Sequence, residues 1–216
     1  MGEPQQISEM SEDWHGRIDQ VRASLAADRP PMGTGGVPVN DDGVEAQAWE
    51  ARWDVRIPTR YRHARIDQLD GDLAGAQEWD GRSNVMLLGN VGSGKTHAAV
   101  ALARMAHDAG REVMFYPALA LIEDLKPDGD PQALDRACKV PLLVLDDLGT
   151  ERRTDFAVDR ISLLIVTRYD ECRPTIVTSN LAPDVLEKQV GERVWSRLYD
   201  DALRIKVAGE DRRRTA

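Results

Sequence analysis

A glycine-rich run at positions 89–96, Gly-Asn-Val-Gly-Ser-Gly-Lys-Thr, has the clearest potential for chemistry. It fits the pattern G-x-x-x-x-G-K-[ST] at every fixed position. Glycines let the backbone turn tightly and aim its N–H groups at phosphate oxygens, and a following helix offers its N-terminus to the same charge. We therefore predict an ATP site in which Lys95 reaches the terminal phosphates and the Thr96 hydroxyl binds Mg²⁺. The predicted nucleotide contacts are Gly89, Asn90, Val91, Gly92, Ser93, Gly94, Lys95, Thr96 and the adjacent His97.

Two carboxylates follow a second run, the four apolar residues 142–145. A buried strand with this pattern would deliver both acids to one edge of a sheet. We predict that Asp146 holds Mg²⁺, usually through water. Asp147 would lie beside the terminal phosphate and polarise the attacking water. Glu151, a few residues later, could share that role.

A third polar element ends a β-branched run at 175–178. Asn180 would emerge at the same edge of the sheet, where its neutral amide could orient the water and contact the terminal phosphate. The alternative is that Asn180 simply caps a helix or turn before Leu181, Ala182 and Pro183.

A fourth element holds two arginines, Arg193 and Arg197, four residues apart and therefore on one face of a helix. An arginine that reaches the ATP of a neighbouring subunit would neutralise charge developing at the terminal phosphate. The alternative is an exposed, salt-bridged helix face.

The segments that must position these residues alternate between short apolar runs and helical stretches from about Tyr61 onward. This alternation predicts an α/β fold: a five-stranded, mostly parallel sheet sandwiched by helices. The strands are predicted at 85–88, 112–116, 141–145, 174–178 and 203–207. The helices are predicted at 95–109, 118–125 and 155–169, with one or two more over 183–199.

The first part of the chain differs in composition, with an acidic excess and three of the five tryptophans. We predict helices at 11–26 and 44–55, joined by a Pro/Gly-rich linker at 28–43, with Pro58 ending the second helix. The predicted domains are a helical partner-binding appendage at 1–56 and the ATPase domain at 57–216.

Composition narrows the class of protein. The 216 residues carry a net charge of -9, which disfavours a sequence-independent coat on duplex DNA. The two cysteines, Cys138 and Cys172, have no metal-ligand spacing and give no sign of an oxidising compartment. The polar, acidic start does not look like a secretory signal, and no apolar run approaches the roughly 20 residues of a membrane span. We expect a cytoplasmic protein without membrane contact.

Taken together, these motifs resemble those of AAA+ ATPases of the DnaC/IstB type, bacterial and phage helicase loaders and helper ATPases of insertion-sequence transposition. The resemblance covers about residues 57–213. It is carried by IPTRYRHARIDQL, GNVGSGKTH, LLVLDDLGTE, RYDECRPTIVTSNL, GERVWSRL and GEDRR.

The resemblance implies roles that spacing alone does not give. It makes Asn180 similar to the sensor-1 residue and Arg197 to the arginine finger, with Arg193 second. Arg213, or its neighbour Arg212, matches a final arginine that contacts nucleotide. Because the family's finger acts in trans, the resemblance implies an AAA+ homo-oligomer, a ring or open spiral. Family members bind single-stranded DNA along the inner face of such an assembly. For the fold, we expect no separate C-terminal lid domain. Many AAA+ proteins have Glu where this chain has Asp147.

The leading expectation is an ATP-dependent loader of a replicative DNA helicase in DNA replication, with slow, switch-like ATP hydrolysis and the N-terminal segment gripping the helicase. One alternative is a transposition helper that assembles on duplex DNA. Another is a nucleotide-gated scaffold with little hydrolysis. A small-molecule kinase that shares only the phosphate loop is disfavoured, because no arginine-rich lid follows the core.

Overall fold

The computed structural model describes residues 44–208, apart from the side chains of residues 44–46 and 54–56. The predicted helix at 11–26, the linker at 28–43, Arg212 and Arg213 lie outside the described residues. Within them, no helix combines the length and the apolar character needed to span a membrane.

A five-stranded sheet forms the centre of the described fold, and its strand order is β2-β3-β4-β1-β5. All neighbouring strands pair in parallel, so the α/β prediction is confirmed. The strands are Val85–Gly89 (β1), Val113–Pro117 (β2), Leu142–Asp146 (β3), Thr175–Ser179 (β4) and Leu203–Val207 (β5). Because β4 lies between β1 and β3, the residues that follow these three strands meet at one edge.

Helices cover both faces of the sheet, as predicted. Side chains alternate along a strand, so Val85 and Leu87 join one apolar cluster while Met86 and Leu88 join the other. The helices are Val44–Arg56 (α1), Lys95–Asp108 (α2), Ala118–Asp124 (α3), Ala133–Lys139 (α4), Asp155–Asp170 (α5), Pro183–Val190 (α6) and Glu192–Tyr199 (α7). Helix α2 packs on the first face, together with 3-10 turns at Thr59–Tyr61, Ile66–Gln68 and Gly71–Glu78.

The stretch predicted as one or two helices over 183–199 forms two. Helix α6 ends and α7 begins at Gly191, whose φ of 90° is a conformation that glycine adopts without steric penalty. This break lets α7 turn back along the sheet and lead into β5.

Helix α4 was not predicted, and its position depends on a distant residue. Arg168 on α5 is only 1% exposed and donates hydrogen bonds to three carbonyls at the end of α4, from residues 137, 138 and 140. It also donates to the Thr175 hydroxyl at the start of β4, at 2.9 Å. Burial lowers the pKa of Arg168 to about 9, so the guanidinium is still charged at neutral pH. One cation therefore holds α4, α5 and β4 together.

Helix α1 packs on the core although it belongs to the predicted appendage. The Trp53 side chain is 2% exposed and joins the apolar cluster on the α2 face. The Trp49 indole stacks on His107 of α2 with ring centroids 4.6 Å apart, and Arg104 makes two hydrogen bonds to Glu50, at 2.5 and 2.9 Å. The division between residues 56 and 57 stays a prediction, but α1 shares its buried side with the core.

Truncation should reveal how far the core extends. Removing residues 1–43 should leave ATP binding and thermal stability close to those of the full chain. Removing residues 1–56 should be destabilising, because it strips Trp53 from the core. In the full chain, Trp53→Ala should lower the free energy of unfolding by about 3–5 kcal/mol, measured by urea titration. Gln47→Ala, at an exposed position of α1, should change it by less than about 0.5 kcal/mol. Equal midpoints for the two variants would contradict this account.

Candidate active site

The phosphate loop, Asp146, Asp147 and Asn180, all predicted to do chemistry, meet at the carboxyl edge of three adjacent strands. The phosphate loop follows β1, Asn180 follows β4, and Asp146 and Asp147 end β3. Parallel register aligns these ends, with Leu88 of β1 opposite Ser179 of β4. A crevice at the carboxyl ends of strands is where open α/β sheets bind ligands.

The backbone of the phosphate loop requires glycine at both ends. A Cβ on Gly89 would lie 1.9 Å from the carbonyl oxygen of Val207, so only glycine fits beside β5. Gly94 has a φ of 96° and comes immediately before α2. The first N–H groups of a helix have no partner within it and can bind phosphate oxygens. Between the two glycines, the Val91 side chain is 59% exposed at the tip of the loop.

Lys95 is folded over this loop. Its side chain is 5% exposed, and Nζ donates to the carbonyl oxygen of Asn90 at 2.6 Å and to Ser93 Oγ at 3.4 Å. Ser93 Oγ also donates to the Asn90 carbonyl, at 2.7 Å. The ammonium group thus lies inside the loop, where it would meet the negative charge of a bound phosphate. His97, in the first turn of α2, packs near the His63 ring at 5.7 Å between centroids.

The two residues predicted to hold Mg²⁺ contact each other. Thr96 Oγ1 donates to Asp146 Oδ1 at 2.9 Å. Asp146 is 8% exposed, and burial raises the pKa of its carboxyl. The negative charge of Asp147 adds to that rise, whereas hydrogen bonds from Thr178 and Thr96 oppose it. A hydroxyl and a carboxylate beside a phosphate-binding loop are the hard oxygen ligands that Mg²⁺ uses, so these residues fit the ion.

Asp147 and Asn180 also contact each other. Asn180 Nδ2 donates to Asp147 Oδ1 at 2.9 Å, and both side chains are half-buried. Asp147 has a φ of 56°, a left-handed conformation that aspartate tolerates better than most residues. The cap position of α6 is Ala182, so Asn180 does not cap that helix. The amide is instead directed at the acid predicted to polarise water.

Glu151 is engaged elsewhere. Its side chain is buried, and Oε2 accepts a hydrogen bond from the backbone N–H of Gly149 at 2.8 Å. Its backbone carbonyl accepts another from Gln189 at 3.0 Å. The carboxylate therefore stabilises the turn after β3, and Asp147 is the better placed of the two for contact with a water molecule.

Thr178 is a residue that the sequence interpretation missed. Its side chain is completely buried in β4, where Oγ1 donates to Asp146 Oδ1 at 2.7 Å and accepts from the backbone N–H of Asp147 at 2.9 Å. The available signal was a hydroxyl residue near the end of an otherwise buried strand, since a buried polar group needs a partner.

Arg197 lies at the opposite edge of the sheet from the phosphate loop. Asn84, just before β1, donates to the Arg197 carbonyl at 3.1 Å and accepts from the backbone N–H of Thr175, the first residue of β4. The length of a five-residue strand, about 16 Å, separates these two edges. The structure therefore does not bring Arg197 together with its own chain's phosphate loop.

The Arg197 guanidinium faces an open groove of about 920 Å³ with an aromatic lining. It lies over the Tyr169 ring, 5.5 Å from the centroid, and Nη1 donates to the carbonyl of Arg193 at 3.1 Å. Its Nε is buried and has no acceptor among residues 44–208. Arg193, one turn earlier on α7, is exposed. Val207 at the end of β5 pairs with Gly89, so β5 ends at the phosphate-loop edge of the sheet. Arg213, the other arginine predicted to contact nucleotide, lies beyond the described residues.

Comparison with known proteins indicates a family of ATP-binding proteins. The family model for IstB-like ATP binding proteins matches residues 60–214. The IS21 putative ATP-binding protein of Pseudomonas aeruginosa is 28% identical over 194 residues, which cover 77% of this chain and 73% of that protein. The replicative helicase loader DnaI of Bacillus subtilis is 27% identical over 177 residues, covering 74% of this chain and 56% of DnaI.

Among solved structures, the DnaC helicase loader superposes with a TM-score of 0.61 at 27% identity, over 69% of this chain and 99% of that one. The aligned segments span little more than half of DnaI, and the chain spans 40% of another relative, the uncharacterized protein YqaM of Bacillus subtilis. Activities of those longer proteins therefore do not transfer by similarity alone. The match over residues 60–214, together with the phosphate loop and its acidic partners, makes this chain a member of the IstB-like ATP-binding proteins, AAA+ ATPases of the DnaC/IstB type.

Proposed function

We propose that this protein hydrolyses ATP with Mg²⁺, slowly and as a switch, and uses the nucleotide state to load a replicative helicase on single-stranded DNA. The observation that carries hydrolysis is the pairing of Asn180 with Asp147 beside a carboxylate and hydroxyl suited to Mg²⁺. Thr96 and Asp146 would hold the ion, which when bound neutralises charge on the phosphate oxygens. Asp147 accepts a proton from the attacking water, and Asn180 fixes the orientation of its carboxylate.

The site is completed in trans. Arg197 lies at the far edge of the sheet from its own phosphate loop, and its half-buried side chain lines an open groove there. Both features fit a guanidinium whose partner belongs to another subunit. A head-to-tail contact of this kind builds a ring or an open spiral. The acidic chain, with a net charge of -9, then contacts DNA locally along the inner face of that assembly.

Helicase loading draws support from the likeness to the DnaC helicase loader and to DnaI. We propose that residues 1–43 bind the helicase, because α1 uses its Trp53 side to pack on the core.

A second candidate function is that of a helper ATPase of transposition, favoured by the insertion-sequence relative, 73% of which aligns with this chain. Turnover stimulated by single-stranded DNA and capture of a replicative helicase by residues 1–43 would support loading. Assembly on duplex DNA without a helicase would support the transposition role.

Hydrolysis itself is tested at Asp147. The isosteric change Asp147→Asn should leave ATP binding intact and lower turnover by about 10²–10⁴-fold, because it removes the proton acceptor. Phosphate release with single-stranded DNA measures turnover, and a fluorescent ATP analogue measures binding. Glu151→Gln is the comparison, and we expect a greater effect on stability than on turnover. Loss of turnover in Glu151→Gln alone would move the base role to Glu151, and no turnover in the parent protein would favour a nucleotide-gated scaffold.

A further inference from the structure

One buried hydroxyl in β4 contacts both acidic residues at the end of β3. Thr178 is 0% exposed, donates to Asp146 Oδ1 at 2.7 Å and accepts from the backbone N–H of Asp147 at 2.9 Å. Its backbone carbonyl accepts from the N–H of Leu148 at 2.9 Å. Three successive residues at this strand end are therefore tied to a single residue of the neighbouring strand.

Each contact bears on a different part of the site. The bond to Asp146 helps to fix the rotamer of the carboxylate, since Oδ1 accepts hydrogen bonds from the hydroxyls of both Thr178 and Thr96. The bond from the Asp147 N–H holds the backbone at φ 56°, a left-handed conformation that residues with a Cβ adopt only at some energetic cost. That conformation presents the Asp147 side chain to Asn180, which lies two residues after Thr178 and directly follows β4.

We propose that Thr178 is a positioning residue that sets the Mg²⁺ affinity of the site and the placement of Asp147. This inference rests on the proposed function of the Asp146 and Thr96 pair. Groups that orient the ligands of a metal commonly change its affinity by 10–100-fold when removed, although they do not touch the ion. The hydroxyl is suited to this task because it can donate to one acid and accept from the other at the same time.

The test compares three substitutions in β4. Thr178→Val keeps the shape and removes the hydroxyl, whereas Thr178→Ser keeps the hydroxyl. Thr175→Val is the matched control, because Thr175 is 2% exposed and its hydroxyl accepts from Arg168 at the opposite end of the same strand. The first readout is the Mg²⁺ concentration that gives half-maximal binding of a fluorescent ATP analogue. The second is analogue binding in EDTA, and thermal unfolding monitors the fold.

Thr178→Val should raise the Mg²⁺ requirement about 10–100-fold and leave binding in EDTA unchanged. Thr178→Ser should remain within about threefold of the parent in Mg²⁺ requirement, and Thr175→Val should lower the unfolding temperature without changing that requirement. An unchanged Mg²⁺ requirement in Thr178→Val, or an equal shift in Thr175→Val, would overturn the proposal. Thr178→Ala removes the same hydroxyl and replaces the valine variant if that variant does not fold. A parent protein whose nucleotide binding ignores Mg²⁺ would overturn the proposed site itself.

Discussion

Replacing Lys95 with alanine should reduce ATP binding and turnover to background. The Lys95 ammonium group is buried inside the phosphate loop, hydrogen-bonded to Asn90 and Ser93, and bound phosphate would take over these contacts. Two charged hydrogen bonds of about 1.5–3 kcal/mol each correspond to a loss of about 10²–10⁴-fold in affinity. Titration with a fluorescent ATP analogue measures the loss directly.

A surface lysine provides the control for this substitution. Lys139 pairs with Asp135 on α4, and its side chain is 69% exposed, so Lys139→Ala should bind ATP like the parent protein. Both variants should unfold at similar temperatures. If Lys95→Ala bound nucleotide as tightly as Lys139→Ala, the assignment of the phosphate site would be wrong.

Replacing Arg197 with alanine should spare ATP binding and suppress hydrolysis in the assembled protein by about 10³-fold or more. Binding is spared because Arg197 lies at the opposite edge of the sheet from its own phosphate loop. Hydrolysis is lost because charge developing on the terminal phosphate of the next subunit is no longer neutralised. Turnover should be measured at concentrations where the parent protein assembles, with sedimentation to verify assembly of the variant.

Arg193→Ala distinguishes the two arginines of α7. Arg193 is exposed and one helical turn from Arg197, so its loss should have the smaller effect on turnover. If Arg193→Ala were inactive and Arg197→Ala active, the finger role would belong to Arg193. Normal turnover in both variants would instead favour the simpler interpretation of a solvated helix face.

The strands were predictable to within a residue or so because each is a short apolar run with polar or glycine residues at its ends. The run at 203–207 coincides with β5, and the run at 141–145 is displaced by one residue from β3. The strand order was not predictable in the same way. The position of β4 between β1 and β3 results from packing of the whole sheet, and it cannot be deduced from the local sequence of any one strand.

Two elements show why other parts of the fold escaped prediction. Helix α4 has only seven residues, too few to form alone, and its final carbonyls are bound by Arg168 from α5. Helix α1 was predicted at nearly its observed bounds. Its packing against the core was not predicted, because Trp53 joins apolar residues of α2 and the sheet that are distant in sequence.

The site residues likewise fall into those that the sequence predicts and those that it does not. The phosphate loop, Asp146, Asp147 and Asn180 were identifiable because each is a polar element directly after an apolar strand. Thr178 was not identifiable, because its hydroxyl contacts Asp146 only when β3 and β4 are neighbours in the sheet. The place of Arg197 at the opposite edge also depends on the reversal of the chain at Gly191.

The most direct test of a site shared between subunits is to mix two inactive variants. Lys95→Ala lacks a working phosphate loop but keeps Arg197, and Arg197→Ala has the complementary defect. Mixed in equal amounts under assembly conditions, they should form active sites at roughly a quarter of the interfaces and recover ATP turnover that neither shows alone. A mixture as inactive as its components, in particles shown to contain both variants, would contradict the shared site.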